Sequence, residues 1–152
     1  MSDTQKQIMF YHAVETSVIA VLFDLLKKSL QSYKRCLVCV DNLENAKQIS
    51  ENLWQCQSDF ILPHGIINEA MPDKQPILLT DNTDNINNAD YIFFIGQVAI
   101  KNTEHFERSI VIFDNHSEET KSYIREQFKS LKNNANISLS YYQQKENRWV
   151  LK

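Results

Sequence analysis

A chain of 152 residues, 43% hydrophobic and 23% charged, has the composition of an ordinary globular domain and is long enough to bury a substantial core. Its formal net charge of −3 excludes a general nucleic-acid coat, which would be clearly basic, and confines any cationic surface to a local patch. Gly65 and Gly96 are the only glycines, and neither G-x-G-x-x-G nor G-K-[ST] occurs, so the phosphate-cradling loops of the usual nucleotide-binding enzymes are missing.

Three cysteines without regular spacing make no disulfide framework. The first residues, MSDTQKQIMFYH, lack the charged and long apolar regions of a signal peptide. Apolar runs such as residues 91–95 are too short to span a bilayer. The expectation is a reducing, cytoplasmic setting and no membrane association.

In chain order, residues 8–11 (IMFY) read as a first strand. Residues 14–33 follow with helical periodicity, and Val18, Val21, Leu22, Leu25 and Ser29 share a face that Ile19, Phe23, Leu26 and Leu30 widen to about half the helix. That arc predicts a helix laid against a sheet. Residues 36–40 (CLVCV) form a continuous apolar run suited to a strand covered on both faces. Asp41, with Glu44 three residues on, suggests the start of a second helix running to Trp54.

Residues 55–75 are irregular. Residues 77–80 (ILLT), 91–95 (YIFFI) and 110–113 (IVIF) read as buried strands, and the Asn-rich link 81–90 as a loop or very short helix. Residues 115–132 read as a third helix, with Asn115 as N-cap and Glu118 three residues later. Residues 137–142 (ISLSYY) alternate like a half-exposed edge strand, and residues 147–151 suggest a last one. Together these predict one α/β domain over residues 1–152, a three-layer α/β/α sandwich with a mainly parallel sheet.

The third helix carries the most specific signal. At about 100° per residue, Lys121, Lys132, Arg125 and Lys129 fall within one sector of about 80°, and Ile124, Phe128 and Leu131 fill the adjoining one. A solvated outer face would have the same composition. Phe128, on the border, instead allows a ligand that is both acidic and apolar: Arg125 can grip a carboxylate in two places while an apolar group enters beside Ile124 and Phe128. The ligand so described is an extended acidic peptide with an aromatic end.

Other candidates are weaker. Cys36-x-x-Cys39 lies within a strand, where residues three apart face opposite ways, so two core cysteines are expected rather than a redox pair or a metal site. The four histidines are scattered, and no metal or cofactor is expected. Asp41 and Asp114 each follow a strand at the carboxyl edge where α/β enzymes place their chemistry, which leaves a small enzyme or phospho-acceptor domain as the competing reading. Leu53, Trp54, Phe60, Ile61 and Leu62, followed by Pro63 and His64, either fill the core beneath a loop or form an exposed patch that docks a partner.

Phe10-Tyr11, Leu53-Trp54, the run Phe60-Ile61-Leu62-Pro63-His64, Ile110 to Phe113, Arg125-x-x-Phe128-Lys129 and Trp149 near the end occur in an order and spacing that resembles the chi subunit of bacterial DNA polymerase III holoenzyme, from about Ile8 to Trp149. The resemblance implies a nucleotide-binding-like fold without nucleotide and a non-catalytic accessory role in DNA replication. It implies two partners: the psi subunit of the clamp loader, and the acidic, Phe-terminated tail of single-stranded-DNA-binding protein. Carried over by motif, Lys121, Ile124, Arg125, Phe128 and Lys129 would take the tail. Trp54, Phe60, Leu62 and Pro63 would meet psi, or a repair helicase competing for that surface. Three departures stand out: Phe128 replaces the more usual tyrosine, Asp114 occupies a position more usually apolar, and the Asn-rich link 81–90 replaces a basic segment, so contact with DNA is expected to be mostly indirect.

Overall fold

The structure, a computed structural model, describes residues 6–56, 60–146 and 148–152. Eight strands form one sheet: β1 (Lys6–Ala13), β2 (Cys36–Cys39), β3 (Gly65–Ile66), β4 (Ile77–Thr80), β5 (Tyr91–Ile95), β6 (Arg108–Asp114), β7 (Ile137–Lys145) and β8 (Arg148–Leu151). Their order is β3-β4-β2-β5-β6-β1-β7-β8, parallel throughout except for the antiparallel β7-β8 pair. Helices α1 (Val18–Gln31), α2 (Leu43–Trp54) and α3 (Glu118–Lys132) cover it.

Strand alternation divides the core into two halves. Tyr11, Cys36, Val38, Phe93, Ile110 and Ile112 pack with Val21, Leu22 and Leu26 of α1 and with Ala46 and Leu53 of α2. Phe10, Leu37, Cys39, Phe94, Val111 and Phe113 point the other way, toward Ile124, Phe128 and Leu131 of α3. The three layers expected from the sequence are therefore present, with α1 and α2 on one face and α3 on the other. Cys36 and Cys39 fall in opposite halves, and burial pushes each thiol up to about 12. Neither is a reactive pair; both are core side chains.

Each helix starts on a polar cap, although two caps differ from the expected ones. Ser17 Oγ accepts from the Ala20 N–H, so α1 begins four residues later than its periodicity suggested. Asn42, not Asp41, caps α2 by accepting from the Asn45 N–H at 2.8 Å, while the Asp41 carboxylate accepts from the Asn45 side-chain amide. Ser117, not Asn115, caps α3 by accepting from the Thr120 N–H. Adjacent Asp, Asn and Ser residues have similar capping ability, and tertiary contacts decide among them.

The segment 137–142 is also placed differently. β7 is not an edge strand: it pairs with β1 on one side and β8 on the other, and β8 forms the sheet edge. Its alternation reflects half-burial along most of its length rather than an unpaired side. Asn147, at the start of the expected last strand, lies outside the described residues. The irregular region also contributes short β3, where Gly65 lies so close to Gln75 that an added Cβ would stand 2.7 Å from its Cδ.

The link 81–90 is a loop held by its asparagines. Asn87, fully buried, donates from Nδ2 to the carbonyls of Cys36 and Gln75. Arg35 Nε donates to the Asn87 carbonyl, and the Arg35 backbone N–H donates to Asp90. These side chains compete with helical hydrogen bonding and win.

A cation-rimmed cleft between α3 and the sheet

Because β1 lies between β6 and β7, the connection through α3 passes over β1 and brings one helix face onto three strands. Phe10 and His12 from β1, Phe113 from β6 and Tyr141 from β7 meet Ile124 and Phe128 from α3 around a cleft of about 540 Å³. Phe10 packs edge-on to Phe128, with ring centres 5.1 Å apart. Tyr141 stands edge-on to Phe128 and Phe113 at 6.2 and 6.1 Å. The floor and walls are thus mainly apolar and aromatic, the geometry of a preformed binding site.

The rim is uniformly cationic. Lys121, Arg125, Lys129, Lys132 and Lys152 line the cleft, and no acid does so among the described residues. Lys121 and Lys129 are partly offset by Glu118 at 3.4 Å and Glu126 at 4.0 Å, one turn back on the same helix. Lys132 lies over the Phe128 ring at 5.9 Å. Arg125 is exposed and has no ion-pair partner among the described residues. Glu118 and Glu119 in the first turn and Lys129 and Lys132 in the last complement the α3 dipole, so the row of cations also supports the helix that carries it.

Buried His12 and half-buried Tyr141 in the cleft join a polar chain that ends outside it at exposed Asn115. The Asn115 side-chain oxygen lies 2.6 Å from His12 Nε2, and Tyr141 Oη lies 2.9 Å from His12 Nδ1. His12 is stacked on Phe113 at 4.6 Å. Burial raises the Tyr141 hydroxyl pKa, and the positive charge of Arg125 works against that rise.

The structure brings together all five residues assigned to the acidic ligand and adds Phe10, His12, Phe113, Tyr141 and Lys152. Strand alternation could have paired Phe10 with His12, but neither their position under α3 nor Tyr141 opposite Phe128 follows without the register. Asp114 is not a lining residue: its carboxylate turns aside to accept from the His116 N–H at 3.0 Å.

The residues assigned to a second partner divide between surface and core. Trp54 at the end of α2 is 56% exposed and Ile61 78%, Pro63 is exposed, and Phe60 is partly buried with Lys27 Nζ 5.6 Å from its ring centre. Leu62 is 2% exposed and belongs to the core, so it underlies the patch without facing solvent. Trp54 is stacked on buried His64 at 4.1 Å. His64 Nδ1 donates to the Leu62 carbonyl, leaving Nε2 to accept from the Ser50 hydroxyl at 3.0 Å. A polar chain thus fixes the platform beneath an exposed indole. This patch and the cleft lie on opposite faces of the sheet, α2 against β3 and β4 and α3 against β6 and β7.

Asp41 and Asp114 are separated by β5 and engaged in cap and turn hydrogen bonds. No group of three or more His, Cys, Asp or Glu side chains among the described residues could hold a metal ion. No helix among them is long and apolar enough to cross a membrane.

Fold and cleft together define a class: a three-layer α/β sandwich with a mostly parallel sheet, carrying an aromatic cleft rimmed by cations. Residues 6–138 match the family described as DNA polymerase III chi subunit, HolC, and the chain belongs to that family. It is 25% identical over 108 residues to the probable DNA polymerase III subunit chi of Rickettsia prowazekii (strain Madrid E), a match covering 71% of this chain and 66% of that relative.

Proposed function

We propose that this chain is a non-catalytic accessory subunit of the replicative DNA polymerase that links the clamp loader, through psi, to the acidic tail of single-stranded-DNA-binding protein. The observation that carries this reading is the coincidence of five cations with one mainly apolar cleft. An acidic peptide ending in phenylalanine satisfies both features. Its ring enters between Ile124, Phe128 and the aromatic floor, and its carboxylates meet Arg125 and the lysines. A short motif at a single cleft is expected to bind with micromolar affinity, about −8 kcal/mol.

Trp54, Ile61 and Pro63, with Phe60 beside them, form the surface for psi, and a repair helicase would compete there. Because the patch is on the other face of the sheet, both partners can bind at once. DNA is reached mostly through the coated strand, and the protein works in the bacterial cytoplasm at the replisome.

The test is a titration of fluorescently labelled tail peptide followed by anisotropy. Arg125→Ala is expected to weaken binding by about 1.5–3 kcal/mol, the range for a hydrogen bond to a charged group. An unchanged affinity in the folded variant would overturn the assignment. A hydroxylamine-labile phosphoryl group appearing on Asp41 or Asp114 after addition of Mg²⁺ and a small phosphodonor would instead favour the phospho-acceptor reading.

A further inference from the structure

The two ends of the sheet are finished differently. At one end, the outward backbone groups of β3 are closed locally: the Ile66 N–H donates to Glu69 Oε1, and the Ile66 carbonyl accepts from the Glu69 N–H, both at 2.9 Å. At the other end, β8 pairs only with β7. Lys152, directly after β8, donates its N–H to the Tyr141 carbonyl at 2.7 Å. Antiparallel ladders alternate bonded and non-bonded pairs, so Val150 with Gln143 is the next bonded pair, and Trp149 and Leu151 turn their N–H and C=O groups outward. These groups have no partner among the described residues, and Leu151 is 63% exposed. Such an edge is a template for one more strand.

Charge selects the occupant. Lys145, Arg148 and Lys152, all exposed, surround this edge, with Glu146 the acid at the hairpin tip. A second copy paired two-fold along β8 would set these cations against their own kind, whereas an acidic strand is complemented by them. Lys152 also lines the cation-rimmed cleft, so that cleft reaches the sheet edge beside β8.

We propose that β8 is a second contact for the acidic peptide: the aromatic end occupies the cleft, and residues further back add to the sheet as one more strand through the backbone groups of Trp149 and Leu151. The inference rests on the reading of the cleft as an acidic-peptide site. Because β8 runs toward Lys152 and the cleft, the added strand is parallel to it. Strands lie about 4.8 Å apart, which places the added strand about 14 Å from the cleft floor at β1. About four extended residues span that distance. The cleft therefore takes the end of the peptide, and the edge takes the residues beyond that span.

The experiment uses the full chain and two synthetic acidic peptides, about four and about ten residues long, each without proline and ending in phenylalanine with a free carboxylate. By anisotropy, the longer peptide is expected to bind about tenfold more tightly than the shorter, the return from a few added hydrogen bonds. Leu151→Pro deletes an outward donor and no bond to β7, and is expected to remove most of that gain. Methylating the backbone nitrogens of the longer peptide at one alternate set of residues should do the same, and at the other set should not, a difference that charge alone does not produce. Binding of the shorter peptide that Arg125→Ala weakens, with no gain from length or a gain that survives Leu151→Pro and both methylations, would overturn this inference and leave the proposed function standing. Absence of binding by either peptide would remove both. Sedimentation of the free chain as a dimer that Leu151→Pro disperses would assign the edge to a second copy and overturn the inference. If Leu151→Pro is unfolded by circular dichroism, the two methylated peptides decide: unequal affinities support the added strand and equal ones overturn it.

Discussion

Asn87 shows how much one polar side chain can hold. It is fully buried, its Nδ2 ties the 81–90 loop to the carbonyls of Cys36 and Gln75, and its own Oδ1 has no partner among the described residues. Asn87→Ala removes two hydrogen bonds but also an unsatisfied oxygen, so its cost should be about 2 kcal/mol. Asn87→Asp keeps the shape, loses both donors and buries a charge, so it should be clearly worse, by about 3–5 kcal/mol. Urea denaturation of the two variants checks the order. At the same scale, the cations of α3 were legible from the sequence because a helix has fixed angular spacing, whereas Tyr141 was not, because its place opposite Phe128 depends on a strand register between distant segments.

At the scale of elements, the segment from Trp54 to His64 posed a choice between core and docking surface, and the structure divides it. Composition could not settle the choice, since all its large residues are apolar. The division follows from Leu62 entering the core while its neighbours Ile61 and Pro63 point outward. Leu62→Ala should cost about 2–5 kcal/mol of stability, as deletion of a buried leucine side chain does. Trp54→Ala should leave the fold largely intact and weaken capture of psi, while sparing tail binding at the other face. Thermal melts and pull-down with purified psi measure the two effects separately, and loss of folding in Trp54→Ala would show the indole to be structural. The helix caps illustrate a similar limit of sequence reading: Asp41 beside Asn42, and Asn115 two residues from Ser117, are near-equivalent candidates until contacts such as Asn115 with His12 commit one of them elsewhere.

For the whole molecule, the layered architecture was legible because continuous apolar runs mark strands covered on both faces, and alternate residues of those strands supply two cores. Those cores make a further prediction about alkaline pH. The Cys36 and Cys39 thiols, with an ordinary value of 9.0, are pushed up to about 12 by burial, so the folded chain retains protons that the unfolded chain loses. Their contribution is fully present below about 9 and is lost as pH rises toward about 12, at up to about 1.4 kcal/mol per pH unit for each thiol. Denaturation midpoints followed through that range should fall, and the slope should be shallower in a Cys36→Ala, Cys39→Ala variant. An equal slope in both proteins would assign the loss to other groups.

The same two-sided architecture separates the proposed contacts, with the cleft under α3 at one face and the Trp54 patch at the other. The most direct test of that arrangement is a residue-resolved map of the bound tail: backbone amide NMR shifts recorded while the acidic, Phe-terminated peptide is titrated into the full chain. The perturbed amides are expected to cluster in α3 and around His12, Phe113 and Tyr141, with residues 54–64 unmoved. Perturbations centred on Trp54 and Ile61, with α3 silent, would contradict it.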